Sequence, residues 1–125
     1  MKIEHAAMYV HDLEKAKVFF QSYFQAAPGP LYQNPTTGFQ SYFLTFDGGA
    51  RLEIMTKPNL AETEPIETGY AHLAFALGCR EAVDALTTRL RADGYRVLSG
   101  PRITGDGYYE SCIAGVEGCV IELTV

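Results

Sequence analysis

Residues 118–125 read Gly-Cys-Val-Ile-Glu-Leu-Thr-Val, and this run decides the fold. Four of its residues are aliphatic, with the β-branched bias of a buried strand. Glu122 sits in the middle. An unpaired carboxylate costs several kcal/mol to bury, so Glu122 must be exposed, neutralised or bound to something positive. Residues 48–55, Gly-Gly-Ala-Arg-Leu-Glu-Ile-Met, repeat the pattern: a glycine, then a glutamate (Glu53) between aliphatics.

The duplication extends upstream. Residues 3–10 (IEHAAMYV) and 70–77 (YAHLAFAL) are short apolar strands, each with a histidine third in line, His5 and His72. His5 precedes Glu53 by 48 residues and His72 precedes Glu122 by 50. After the first strand, Asp12 is placed as an N-cap, and Leu13, Ala16, Phe19, Phe20, Tyr23 and Phe24 recur at helical spacing. After the second, Val83, Leu86 and Leu90 mark a similar stripe, closed by Gly94. Each half then turns to strands, around Asp47-Gly48-Gly49 and around Gly115-Val116-Glu117-Gly118. The chain therefore reads as an α+β domain of two βαβββ modules, 1–57 and 70–125, joined by an acidic, proline-containing linker at 58–69.

Side chains alternate between the faces of a strand, so His5 shares a face with Ala7 and Tyr9, and Glu53 with Met55. The second copy places His72 with Ala74 and Ala76, and Glu122 with Val120 and Thr124. If the copies pack about a pseudo-twofold axis, a curved sheet brings two imidazoles and two carboxylates into one cavity. Such a set suits one divalent first-row metal per site: nickel, zinc, iron, cobalt or manganese. The dication would compensate both carboxylates, and an octahedral ion would keep two positions for water or substrate. His11, beside the helix start, reads as a surface residue.

Composition narrows the rest. The 125 residues include 15 acids and 10 bases, a net charge of −5, with no basic stripe for nucleic acid. No apolar run approaches the roughly 20 residues of a membrane span, and the N-terminus lacks an export signal, which points to the cytoplasm. Cys79, Cys112 and Cys119 lack paired metal spacing; Cys112 and Cys119 are expected to be small buried residues. The stretch 100–111 (GPRITGDGYYES) is glycine-rich and reads either as a flexible hairpin or as a substrate lid, with Arg102, Tyr108 and Tyr109 to grip a ligand. Of Phe39, Tyr42, Phe43 and Phe46, some are expected to line the pocket, Tyr42 among the candidates.

The stretches IEHAAMYVHDLEKAKVFF, GARLEIM, YAHLAFAL, GPRITGDGYYES and GCVIELTV resemble the vicinal-oxygen-chelate superfamily, the glyoxalase/bleomycin resistance/dioxygenase group. His5, Glu53, His72 and Glu122 match, in order, the ligands of bacterial glyoxalase I. Extradiol dioxygenases and fosfomycin enzymes resemble it with two histidines and one glutamate, and bleomycin-binding members lack the set. The resemblance implies a lyase or isomerase moving a proton on a small oxygenated, thiol-conjugated substrate, with Glu122 as base and Glu53 as the second. It also implies a homodimer. Tyr9 and Lys57 stand where bacterial glyoxalase I holds glutathione with arginine and asparagine; both can hydrogen-bond, and neither reproduces that pair. The alternatives are a small-molecule or antibiotic-binding protein without a catalytic metal, and an extradiol-type dioxygenase.

Overall fold

A computed structural model describes residues 3–61, 70–105 and 107–125. Most of the expected linker, residues 62–69, and Asp106 of the 100–111 stretch lie outside the described residues. The chain is α+β; the described residues form two α-helices and two mixed sheets, and the chain divides into two compact units, Met1–Glu64 and Pro65–Val125.

In the first unit, β1 (His5–Tyr9) leads to α1 (Leu13–Phe24), two short pairings β2 (Ala27–Pro28) and β3 (Tyr32–Gln33), then β4 (Gln40–Thr45) and β5 (Arg51–Thr56). The sheet order is β1-β5-β4-β2, with β3 also on β4. Asp12 caps α1, its carboxylate accepting from the Lys15 amide at 2.9 Å. Leu13, Ala16, Phe19, Phe20 and Phe24 form the buried stripe. Leu44, Leu52 and Ile54 are almost fully buried, and α1 packs on β4 and β5. Each such side chain contributes about 1.5–3 kcal/mol relative to exposure.

In the second unit, β6 (Leu73–Ala76) leads to α2 (Arg80–Ala92), β7 (Arg96–Ile103), β8 (Tyr109–Ala114), a 3-10 turn (Val116–Gly118) and β9 (Val120–Thr124), in sheet order β6-β9-β8-β7. Gly94, at φ +93°, closes α2 as its spacing predicts. The Gly94 amide donates to the Arg91 carbonyl and the Tyr95 amide to Leu90, a Schellman closure. Val83, Thr87 and Leu90 are buried, whereas Leu86 is half-buried. The buried Thr87 hydroxyl is satisfied: it donates to the Val83 carbonyl at 2.6 Å and shares a 2.6 Å bond with Ser111 of β8.

Three sequence expectations change. His72 lies one residue ahead of β6 rather than within it. The 100–111 stretch is mostly ladder, because β7 runs to Ile103 and β8 starts at Tyr109. The connection between these strands is correspondingly short, and Thr104 closes it by accepting from the Tyr108 amide at 2.9 Å. Finally, Cys112 and Cys119 are half-buried rather than buried, Cys79 is exposed, and all three are free thiols.

Partial burial and, to a lesser degree, the Glu117 carboxylate push the Cys119 thiol up to about 11. A folded pKa above the unfolded one means stability that is complete below the unfolded value and lost as pH rises through the folded value. Unfolding free energy should therefore fall between about pH 9 and pH 11, with at most about 3 kcal/mol traceable to this thiol. Tyr95, raised mainly by burial, and Tyr109, raised mainly by its bond to Asp84, act with the same sign. Urea unfolding of Cys119→Ala across this range should show a shallower loss than the parent; an identical slope would remove Cys119 as the cause.

Candidate functional site

Strand register places the expected ligands. In the first unit, β1 runs parallel to β5 with Ala7 opposite Glu53 and His5 opposite Arg51. β4 runs antiparallel to β5 with Phe43 opposite Glu53. His5, Tyr9, Glu53, Met55 and Phe43 therefore share one face, while Leu52, Ile54 and Leu44 turn to the other, which α1 covers. In the second unit, β6 runs parallel to β9 with Ala74 opposite Glu122, and β8 runs antiparallel with Cys112 opposite Glu122. Ile121 and Leu123 turn to the α2 side and are fully buried. Both glutamates thus stand at the same register position of their units, each across from an alanine that lies two residues after the histidine. The small alanine leaves room beside the carboxylate.

His72 Nε2 lies 3.4 Å from Glu122 Oε2, and the Glu122 side chain is only 17% exposed. Donors around one first-row ion are spaced by roughly this distance, about 3–4 Å. In the first unit, His5 Nδ1 donates to the neighbouring Glu4 carboxylate at 2.5 Å, which leaves Nε2 as the ring nitrogen that could hold a ligand. Arg51 Nε donates to the same carboxylate at 2.8 Å. The bond from His5 does most to hold the Glu4 carboxyl below the usual range; desolvation opposes it, and the Arg51 guanidinium adds to the lowering. The Phe43 ring meets the His5 ring edge-on, centroids 5.3 Å apart, and carries the Arg51 guanidinium 4.3 Å from its centroid. The imidazole of His5 is thus held from two sides. In the second unit, the His72 nitrogen and the Glu122 oxygen are donor types, at a spacing, that fit a divalent first-row cation.

The expected substrate-gripping residues separate by face. Tyr9 is 46% exposed on the Glu53 face, with Lys57 Nζ 5.1 Å from its ring centroid. Arg102 pairs with Glu110 across β7 and β8, on the Glu122 face, its guanidinium 3.6 Å from the Glu110 carboxylate. Tyr108 is exposed at the hairpin tip. Tyr109 turns the other way: its hydroxyl donates to Asp84 of α2 at 2.6 Å, and Arg80 lies 5.0 Å from its ring. Tyr42 also turns to a helix, donating to Glu14 of α1 at 2.7 Å. His11 lines a surface cleft with Asp12, Glu14, Leu31, Gln40 and Thr56, at the start of α1.

Sequence reading missed Cys112 and Glu110 as neighbours of Glu122. The ligand atoms of Glu110, Cys112 and Glu122 all lie within 4.8 Å of one another. Alternation along β8 puts Glu110 and Cys112 on one face, but only the β8–β9 register shows that this face carries Glu122.

The family model "Glyoxalase/Bleomycin resistance protein/Dioxygenase superfamily" matches residues 2–123. An uncharacterized Bacillus subtilis protein, YqjT, is 29% identical over 116 residues, covering 86% of this chain and 85% of its own. The trypanothione-dependent glyoxalase I of Leishmania major superposes with a TM-score of 0.80 at 17% identity, covering 99% of this chain and 86% of its own. The fosfomycin resistance protein FosX of Listeria monocytogenes, solved with Mn(II) and sulfate, gives 0.73 at 23% identity, covering 98% and 90%. These structures share the fold, and no helix among the described residues is long and apolar enough to cross a membrane. With the family model spanning nearly its whole length, the chain belongs to the glyoxalase/bleomycin resistance protein/dioxygenase superfamily.

Proposed function

We propose that the protein is a glyoxalase-like metalloenzyme, a lyase or isomerase that moves a proton between adjacent carbons of a small oxygenated substrate. His5, Glu53, His72 and Glu122 are its metal ligands, and a homodimer in the cytoplasm is its working form. The observation that carries this reading is the matched register: Ala7 opposite Glu53 and Ala74 opposite Glu122, each with a histidine two residues upstream. Independent packing needs would not place the same two donor types at the same place twice.

When bound, a divalent ion supplies Lewis acidity to two neighbouring oxygens of the substrate. Glu122 takes the proton from the carbon beside the carbonyl and returns it to the next carbon. Its low exposure keeps bulk water from competing for that proton. Glu53, at the equivalent register position, is the second base. Tyr9 and Lys57 on one unit, and Arg102 and Tyr108 on the other, are exposed or half-exposed groups that orient the substrate's polar ends.

Metal analysis of protein purified without added metal or chelator tests the reading. One ion per chain is expected, and His5→Ala and His72→Ala should each lower occupancy. A folded, metal-free protein that still binds small molecules would replace the enzyme with a sequestering protein.

A further inference from the structure

Position by position, the two ligand faces differ beside the glutamate. Across from Glu53 the partner strand carries Phe43, and two residues before it Ser41. Across from Glu122 it carries Cys112, and two residues before it Glu110. The first unit thus offers a hydrocarbon ring and a hydroxyl where the second offers a thiol and a carboxylate. We propose that Cys112 and Glu110 extend the metal site around Glu122 and His72, with the Cys112 sulfur as a soft ligand that steers the site toward zinc or cobalt.

Distances and burial both support this. The three ligand atoms lie within 4.8 Å of one another, and His72 Nε2 lies 3.4 Å from Glu122. Donors around a zinc or cobalt ion stand about 3.5 Å apart, so the Glu110, Cys112 and Glu122 atoms need to draw in by little more than about 1 Å. The Glu110 and Glu122 side chains are only 11% and 17% exposed. Two carboxylates that close, away from water, repel, and a cation between them relieves the repulsion. Arg102 reaches the Glu110 carboxylate at 3.6 Å from a position that is itself 57% exposed, which screens its charge. Imidazole, carboxylate and thiolate together suit a borderline-soft ion; manganese and magnesium prefer all-oxygen sets. On binding, the thiol gives its proton to solvent and the sulfur coordinates as thiolate.

The proposal rests on Glu122 and His72 being ligands, as in the functional reading above, and cobalt(II) titration of the apo full-length protein separates the two. The expected result is visible d–d bands together with a near-ultraviolet sulfur-to-cobalt charge-transfer band. Cys112→Ser and Cys112→Ala should both lose the charge-transfer band, keep the d–d bands and keep the parental circular dichroism. Glu110→Gln should weaken cobalt binding about tenfold. Cobalt bound with d–d bands alone in the parent would overturn this inference and leave the metalloenzyme reading standing. A charge-transfer band that survives both Cys112 variants would also overturn it, by assigning the sulfur elsewhere. A parent that binds no cobalt would overturn both readings.

Discussion

Glu122→Gln should lower turnover of a 2-oxoaldehyde hemithioacetal by about 100- to 10,000-fold, the range lost with a general base. That fall corresponds to about 3–5 kcal/mol of transition-state stabilisation. The substitution keeps the shape of the side chain and one oxygen donor, and the fully buried Ile121 and Leu123 beside it still hold β9 in place. The fold should therefore change little, while the neutral amide should bind the ion more weakly than the carboxylate did, so turnover is compared on fully metal-loaded protein, which separates the role of base from that of ligand. A second readout is exchange of the substrate's carbon-bound proton with deuterated solvent, which should fall with turnover. Parental turnover in folded, metal-loaded Glu122→Gln would exclude Glu122 as the base. Glu53→Gln at the matched position should lose less if Glu122 is the principal base, and kcat for the two variants ranks them directly.

Gly100→Ala should be the most damaging small substitution to stability. Gly100 sits at φ +79°, and a Cβ there would stand 2.4 Å from the Glu110 carbonyl oxygen and 2.9 Å from the Ser111 Cα. The left-handed conformation alone costs an alanine roughly 1–2 kcal/mol. The overlap is with ladder backbone rather than a flexible side chain, so β7 and β8 must separate. The expected loss is about 3 kcal/mol or more, or about 10 °C in Tm for a chain of this size. Gly107→Ala is the control in the same hairpin: φ is +93°, but among the described residues no heavy atom lies within 4 Å of the added Cβ. It should cost only about 1 kcal/mol. Equal losses at the two positions would show that backbone conformation, not the close approach of β8, sets the cost at Gly100. Because Glu110 and Ser111 flank that approach, Gly100→Ala should also weaken cobalt binding at Cys112 and Glu110.

Much of this was legible along the chain because it is local. Asp12 caps α1 and Gly94 closes α2 because capping depends on neighbours a few residues away. The alternation of Leu52, Glu53 and Ile54, and of Ile121, Glu122 and Leu123, places each glutamate opposite a buried aliphatic pair through the two-residue period of a strand. The 100–111 stretch forms a hairpin, one of its two readings, but with a longer ladder than its glycines suggest, because Gly100 serves a close strand contact and the ladder continues past it. Tyr42 and Tyr109 misled because aromatic residues fit either face of a sheet; hydrogen bonds to Glu14 and Asp84 turn both toward the helices.

By itself, then, the order of residues determined the duplication, the two helices, the strand faces and the matched histidines and glutamates, since each follows from periodicity or from repetition. Only the tertiary structure decided which strands lie side by side. That choice opposes Ala7 to Glu53 and Ala74 to Glu122, and sets Phe43 beside one glutamate but Cys112 and Glu110 beside the other. Pairing register arises from backbone hydrogen bonds and buried contacts between segments far apart in the chain, and no local pattern encodes it.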